Sequence, residues 1–125
     1  MTKPIVISNA NELVRVKPER VVYFTSDGNY STMVLYDKSE MFFTMNLAHC
    51  QELIEDQLGE DARIFIRIGK QLIVNRSYIF TINPNKQLLI LSDKELNQAF
   101  NLRASREALK QLKAFLESER KEERI

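Results

Sequence analysis

Short segments rich in β-branched and aromatic residues, each ended by turn-forming residues, follow one another along most of this chain. The segment 21–24 is followed by Asp27-Gly28, and a glycine supplies the positive φ that a tight hairpin turn requires. Residues 30–36 predict the returning strand, and residues 41–45 a third strand after a turn at 37–40. The first half of the chain therefore predicts a three-stranded antiparallel meander.

The second half repeats this alternation of apolar segments and polar breaks. Breaks are predicted at 69–71, 83–86 and 92–95, where Gly, Pro, Asn, Asp or Lys interrupt the apolar pattern. The predicted strands are 65–68, 72–74, 78–82, 87–91 and 96–102. The whole pattern predicts a mostly β fold of packed antiparallel sheets, made of hairpins and meanders.

Two segments have helical rather than strand periodicity. Asn46 can cap the first, because its side chain can accept hydrogen bonds from first-turn amides, and Gly59 predicts its end. Ser105 can cap the second, whose leucines between 109 and 116 share one face. We expect two short helices that cover sheet surface, with residues 117–125 as a charged helix end or tail.

The chain has 125 residues and one cysteine, Cys50, so no internal disulfide can form. Its longest apolar runs are far shorter than the roughly 20 residues that cross a membrane as a helix. The N-terminus lacks the basic and apolar regions of a signal peptide. We therefore expect a cytoplasmic protein that does not enter a membrane.

Charge is distributed unevenly, although the formal net charge is only +1. Residues 1–61 contain five Lys/Arg and ten Asp/Glu, whereas residues 62–113 contain ten Lys/Arg and three Asp/Glu. A basic half of this kind would attract a phosphate backbone. Alternatively, the two halves interleave in space and their charges cancel.

Catalytic residues form no recognisable set. The single histidine, His49, is adjacent to Cys50, and neighbouring helix residues point about 100° apart, so they would not work as a pair. One His and one Cys cannot form a closed zinc site. No glycine-rich phosphate loop or nucleophile elbow is present. We expect no enzyme activity, no metal and no cofactor.

Polar residues at turns are instead the candidates for function, since binding residues often lie on loops of a rigid scaffold. Arginine and lysine contact phosphates, and arginine and asparagine can read base edges. Each cluster can also be an ordinary solvated turn. The three clusters are residues 26–31; Arg67, Lys70, Gln71, Asn75 and Arg76; and Arg103, Ser105 and Arg106.

Five motifs occur in an order that resembles the LytTR DNA-binding domain of bacterial response regulators and related transcription factors. The strongest is 65–75, where the family pattern is approximately F-x-R-x-H-R-S-x-x-V-N. The resemblance covers about residues 15–116, preceded by an N-terminal extension with a short strand at 1–14. The other motifs are Val21–Ser26, Asn29-Tyr30, Phe43-Thr44 with Asn46-Leu47, and Ser105-Arg106.

The resemblance implies an elongated fold of packed β-sheets whose loops enter the major groove of double-stranded DNA. It implies a sequence-specific transcriptional regulator that binds promoter repeats, as a homodimer on DNA or together with a separate signalling protein. Gly69 lies within the second contact loop, and Asn75 is implied to be structural support. The implied DNA-binding residues are Asn29, Tyr30, Ser31, Arg67, Lys70, Gln71, Arg103, Ser105 and Arg106.

The second contact loop departs from the family pattern, because the family's His-Arg-Ser is Gly69-Lys70-Gln71 here. Lysine keeps the positive charge but lacks the bidentate fork of arginine. Glu107 also stands at a place that is often basic. These departures support an alternative hypothesis, a non-catalytic protein-interaction or signal-coupling module on the same fold.

Overall fold

The computed structural model describes residues 3–93, 95 and 98–123, with the side chains up to residue 120. The chain divides into two compact units, Met1–Ser77 and Tyr78–Ile125. Every strand pair in both units is antiparallel, and two α-helices accompany the sheets. The predicted mostly β fold is therefore confirmed. No described helix is long and apolar enough to span a membrane.

The first unit is built on a five-stranded sheet with the order β5-β4-β3-β7-β6. Its first three strands in sequence form the predicted meander, and the pairing of β3 with β7 adds the hairpin β6-β7. The strands are β3 (Val21–Asp27), β4 (Tyr30–Leu35), β5 (Glu40–Phe43), β6 (Phe65–Ile68) and β7 (Leu72–Asn75), and a separate hairpin consists of β1 (Ile5–Ser8) and β2 (Leu13–Val16).

Helix α1 (Leu47–Leu58) supplies part of the hydrophobic core of the first unit. Its buried residues recur at helical spacing, which gives one apolar face. Phe24, with its cross-strand neighbours Met33 and Ile73, belongs to the same core. The buried residues of this cluster are Ile5, Ile7, Val21, Phe24, Met33, Phe43, Leu47, Cys50, Ile54, Leu58 and Ile73.

Both predicted ends of α1 are confirmed. The Asn46 side chain accepts a hydrogen bond from the His49 amide at 2.8 Å, which satisfies a first-turn donor. Gly59 ends the helix at a φ of 58°, and its amide donates to the Glu55 carbonyl oxygen. The 3₁₀ helix Gly59–Ile64 then leads into β6.

The β1-β2 hairpin contributes to the core of the first unit. Ile5 and Ile7 are buried, and Gln57 of α1 holds the strand between them. The Gln57 Oε1 atom accepts from the Val6 amide at 2.8 Å, and its Nε2 atom donates to the Val6 carbonyl oxygen at 2.8 Å. This side chain thus satisfies both backbone groups of one strand residue.

The domain boundaries predicted at 14 and 116 remain predictions.

The second unit contains a three-stranded sheet with the order β10-β9-β8 and the helix α2. Leu109 and Leu112 of α2 are buried, and α2 contacts β8. The Ser105 hydroxyl accepts from the Ala108 amide at 3.1 Å, which confirms the predicted cap. The elements are β8 (Ile79–Asn83), β9 (Leu88–Asp93), β10 (Gln98–Arg103) and α2 (Arg106–Glu123).

Some predicted boundaries in this part of the sequence differ from the structure, and others lie outside the described residues. Ser92 and Asp93 belong to β9 and not to a turn, because pairing with β10 continues as far as Asp93 opposite Gln98. The predicted strand start at Leu96 and the turn residue Lys94 lie outside the described residues. At 18 residues, α2 is longer than the predicted short helix.

Asn75 is a buried polar residue at the end of β7, with an exposed fraction of 1%. Its Nδ2 atom donates to the carbonyl oxygens of Val21 at 2.9 Å and Pro18 at 3.3 Å. Its Oδ1 atom accepts from the Ser77 amide at 2.9 Å. The side chain therefore joins the start of β3 to the end of β7, which confirms its expected structural role.

We predict that Asn75→Ala lowers the free energy of unfolding by about 2 kcal/mol, because it leaves buried backbone groups without partners. Urea unfolding followed by circular dichroism measures this change. Asn85→Ala, at an exposed turn position, is the matched control and should change stability by less than about 0.5 kcal/mol. Equal unfolding midpoints for the two variants would contradict the role given to Asn75.

We further predict that the Cys50 thiol resists alkylation in the folded protein. Burial raises its pKa. Because the folded-state pKa exceeds the unfolded-state pKa, the folded protein favours the neutral thiol. The stability that this thiol contributes is present at neutral pH and is lost as pH rises through the folded-state pKa. Iodoacetamide labelling at mildly alkaline pH should be slow without urea and fast in urea. Equal rates would refute the prediction.

Candidate nucleic-acid interface

Three connections of the first unit lie at the same end of the five-stranded sheet. The β3-β4 turn ends at Tyr30, which pairs with Asp27, and β4 continues opposite β5 with Ser31 beside Phe43. The antiparallel strand β7 starts at Leu72 beside Thr25 of β3. We call residues 27–30, 44–46 and 69–71 together the turn end.

A backbone hydrogen bond joins two of these connections directly. The Ser26 amide of β3 donates to the Gln71 carbonyl oxygen at 3.1 Å. This bond lies beyond the last residue pair of the β3-β7 ladder, so it extends the pairing into the turn itself. The hairpin that carries Asn29 and Tyr30 is thereby held beside the hairpin that carries Lys70 and Gln71.

The β3-β4 turn exposes an amide and an aromatic ring. Gly28 has a φ of 68°, as the sequence predicted for a tight hairpin. The Ser26 hydroxyl bonds the carbonyl oxygens of Gly28 at 3.2 Å and Tyr30 at 3.1 Å, which fixes the turn from its base. Asn29 is exposed, and Tyr30 has an exposed fraction of 62%.

Ser31, which the resemblance places in the first contact region, is buried with an exposed fraction of 1%. Its hydroxyl donates to the Met45 carbonyl oxygen at 2.7 Å. This bond attaches the start of β4 to the connection between β5 and α1. The Ser31 side chain is therefore a buried support of the turn end in this structure.

The β6-β7 turn exposes Lys70 and Gln71 and depends on a glycine conformation. Gly69 has a φ of 60°, a region that residues with a Cβ atom rarely adopt. The half-buried Arg67 lies beneath this turn. Its Nε atom donates to the Gly69 carbonyl oxygen at 3.1 Å, and its Nη2 atom donates to the Lys70 carbonyl oxygen at 3.2 Å.

Acidic residues of the first unit are concentrated away from Lys70. Helix α1 starts at the turn end. Its last turns and the following 3₁₀ helix contain acidic residues, and the chain there runs towards Phe65. Phe65 pairs with Asn75 at the opposite end of the sheet. The β6-β7 side of the turn end thus carries the positive charges of Arg67 and Lys70, with Glu55 of α1 beside Arg67 in the lining of one pocket, and Asp27 is an acidic group on the β3-β4 side.

The predicted residues of the second unit also lie together. Arg103 ends β10, Ser105 caps α2, and Arg106 is the first helical residue; all three are exposed. The Ser105 hydroxyl is the capping acceptor described above. Glu107 follows in the first turn of α2, where a negative charge suits the helix dipole.

Lys86 is a basic residue that sequence reasoning missed. The Ala104 amide donates to the Gln87 carbonyl oxygen at 3.3 Å, which brings the turn between β8 and β9 beside the start of α2. Arg103 pairs with Leu88 at the same end of the sheet. Lys86 lies in an Asn-Pro-Asn-Lys turn, which indicates an exposed residue, but only the strand pairing shows that this turn lies beside the start of α2. We call residues 84–87 and 103–106 the basic end of the second unit.

His49 and Cys50 have different environments. The His49 side chain is exposed on α1, whereas Cys50 belongs to the core. Within the described part of the chain, no group of three or more His, Cys, Asp or Glu residues is arranged to hold a metal ion.

Comparison with known families and structures gives a consistent result. The model of the LytTr DNA-binding domain family matches residues 11–117. A similar solved structure is the LytTr DNA-binding domain assigned to a methyl-accepting/DNA response regulator of Bacillus cereus. It has a TM-score of 0.61 and 15% sequence identity, and the alignment covers 93% of this chain and 98% of the other. No match was found among curated proteins.

We predict that Ser31→Ala lowers the free energy of unfolding by about 1 to 2 kcal/mol, because the Met45 carbonyl oxygen loses its donor in a buried place. Thermal and urea unfolding measure the loss. Ser77→Ala, which removes an exposed hydroxyl, serves as the control and should leave stability nearly unchanged. Wild-type stability in Ser31→Ala would show that this hydroxyl has no supporting role.

Proposed function

Because the chain belongs to the family of LytTr DNA-binding domains, we propose that it binds double-stranded DNA as a sequence-specific transcriptional regulator. The observation that carries this proposal is the convergence of two exposed polar turns at the turn end, joined by the bond between Ser26 and Gln71. Such loops, together with the basic end of the second unit, would enter or border the major groove. This mode differs from insertion of a recognition helix.

The contact residues have separate roles in this proposal. Lys70 binds phosphate as a point charge, and the side-chain amides of Asn29 and Gln71 are suited to base edges. The Tyr30 ring offers its hydroxyl to the sugar-phosphate backbone. Ser31 and Arg67 hold these residues in place from below.

In the second unit, the basic end would position the protein on the DNA backbone. Arg103, Arg106 and the added candidate Lys86 are exposed cations that suit phosphate oxygens. Because its hydroxyl is already the cap of α2, Ser105 would act by ordering the backbone amides of the first turn, which favour anions.

The wider biology belongs to the same proposal. A regulator of this kind would act in the bacterial cytoplasm on promoter repeats, as a homodimer on DNA or under the control of a separate signalling protein. Its Gly69-Lys70-Gln71 turn would give it a DNA preference different from that of relatives with His-Arg-Ser.

We predict that binding to duplex DNA, measured by fluorescence anisotropy, weakens steeply between about 50 mM and about 200 mM salt. Lys70→Glu, Lys86→Glu and Arg106→Glu should each weaken binding further. Each variant should also reduce the slope of log affinity against log salt by about 0.9 for every DNA phosphate that it no longer neutralises.

Two control variants make the same charge change away from the proposed contacts. Lys38→Glu lies in the β4-β5 turn, at the opposite end of the first unit's sheet. Arg120→Glu lies about 21 Å along α2 from Arg106. Neither should alter the slope. Failure of the wild-type protein to bind varied duplexes at low salt would refute the proposed function and favour the interaction-module alternative.

A further inference from the structure

The guanidinium group of Arg67 bonds two other parts of the first unit at once. Two of its nitrogens donate to the consecutive carbonyl oxygens of Gly69 and Lys70, as described above. The third, Nη1, donates to the Gln51 Oε1 atom of α1 at 2.8 Å. Arg67 and Gln51, which we call the brace, thus connect α1 to the β6-β7 turn through three hydrogen bonds.

The turn requires support of this kind. It is short and exposed, and Gly69 gives its backbone more conformational freedom than any other residue would. Loop tips without such contacts are usually mobile. The brace fixes two successive carbonyl groups, so it restricts the peptide units on both sides of Lys70.

Gln51 determines where the guanidinium group lies. A guanidinium has five N–H donors in a rigid plane, so fixing one nitrogen also orients the other two. The bond from Nη1 to Gln51 has an ionised donor, which makes it stronger than a bond between neutral groups. Helix α1 is anchored in the core by Leu47, Cys50 and Ile54, so Gln51 presents its acceptor from a rigid element.

We propose that Gln51 is a positioning residue for DNA recognition, which acts through Arg67 to hold Lys70 and Gln71 in their binding conformation. This inference rests on the proposed function. It assigns Arg67 to the turn and not to a phosphate, and it gives a binding role to a helix residue outside every motif of the sequence. All three acceptors of Arg67 are uncharged, so its positive charge still adds to the potential at the turn.

Charge-preserving variants separate positioning from direct contact. Arg67→Lys keeps the positive charge but cannot make the three bonds of the fork, and a direct phosphate contact would largely tolerate it. Gln51→Leu keeps every charge and removes the acceptor. Gln51→Glu keeps the acceptor and is the conservative variant that should rescue the brace.

A second glutamine of α1 provides the matched control. Gln57→Leu removes the two bonds to Val6 described above, at a distance from the β6-β7 turn along the helix. This variant should lose stability without loosening the turn. It therefore reports what a merely structural loss in α1 does to the same readouts.

The experiment combines two measurements on the full chain. NMR relaxation gives order parameters for the amides of residues 69–71 in the free protein, and anisotropy gives affinity for duplex DNA across a salt series. Order parameters should fall from about 0.85 towards about 0.6 in Gln51→Leu and in Arg67→Lys. Affinity should fall on the order of tenfold, as expected when one charge-assisted hydrogen bond is removed, with the salt slope unchanged.

Three further results support the proposal: the double variant Gln51→Leu/Arg67→Lys is no worse than either single variant, Gln51→Glu keeps the turn ordered, and Gln57→Leu matches the wild type in both readouts. Wild-type order and affinity in Gln51→Leu would overturn it. So would a wild-type result for Arg67→Lys combined with a lower salt slope for Arg67→Gln, which would make Arg67 a phosphate contact.

The two measurements also separate this inference from the proposed function. If the wild-type protein binds no DNA at low salt, the proposed function fails, and with it the binding role of Gln51. The order parameters of the free protein then still decide whether the brace holds the turn. If DNA binds and the turn stays ordered in Gln51→Leu, the proposed function stands and the positioning role is wrong.

Discussion

The pairing of β3 with β7 is the interaction on which the organisation of the first unit depends. These strands are far apart in sequence, yet their ladder places Phe24 beside Ile73 in the core and Thr25 beside Leu72. One further bond, from Ser26 to Gln71, brings the two hairpin turns together. Asn75 secures the other end of the same pair of strands through its bonds to Val21 and Pro18. The same ladder therefore forms the core and assembles the candidate binding surface.

Sequence reasoning succeeded where the signal is local. The ends of α1 at Asn46 and Gly59 follow from side-chain capping and from the φ freedom of glycine, which depend on a few neighbouring residues. The hairpin at Gly28 follows for the same reason. The exposure of most candidate residues was also predictable from local patterns, because turn residues are recognisable without their tertiary environment.

Contacts between residues that are distant in sequence could not be predicted from local patterns. Ser31 follows an exposed turn in sequence, but the connection after β5 covers it and accepts its hydroxyl. The sequence pattern indicates that Arg67 is a cation near the turn, whereas its partner Gln51 lies on α1 and belongs to no motif. Lys86 is a candidate because the bond from Ala104 to Gln87 places its turn beside α2, which no local pattern indicates. The strand β9 extended past its predicted end because its pairing with β10 outweighed local turn propensity.

Gly69 gives a physical meaning to the departure from the family pattern. A glycine adopts the φ of 60° found at this position without the cost that a Cβ atom brings, so the residue type suits the turn conformation. Arg67 then holds the carbonyl groups of that conformation. Lys70 and Gln71 are the exposed side chains of this turn.

An NMR titration of the full chain with duplex DNA at low salt locates binding residue by residue. If the proposed surfaces bind DNA, amide shift changes will concentrate at 27–30 and 69–71 in the first unit and at 84–87 and 103–106 in the second. Residues 37–39, at the opposite end of the first sheet, should stay unchanged. Saturable shift changes centred on 37–39 or on the last turns of α1, with the turn end unaffected, would refute DNA binding by these surfaces.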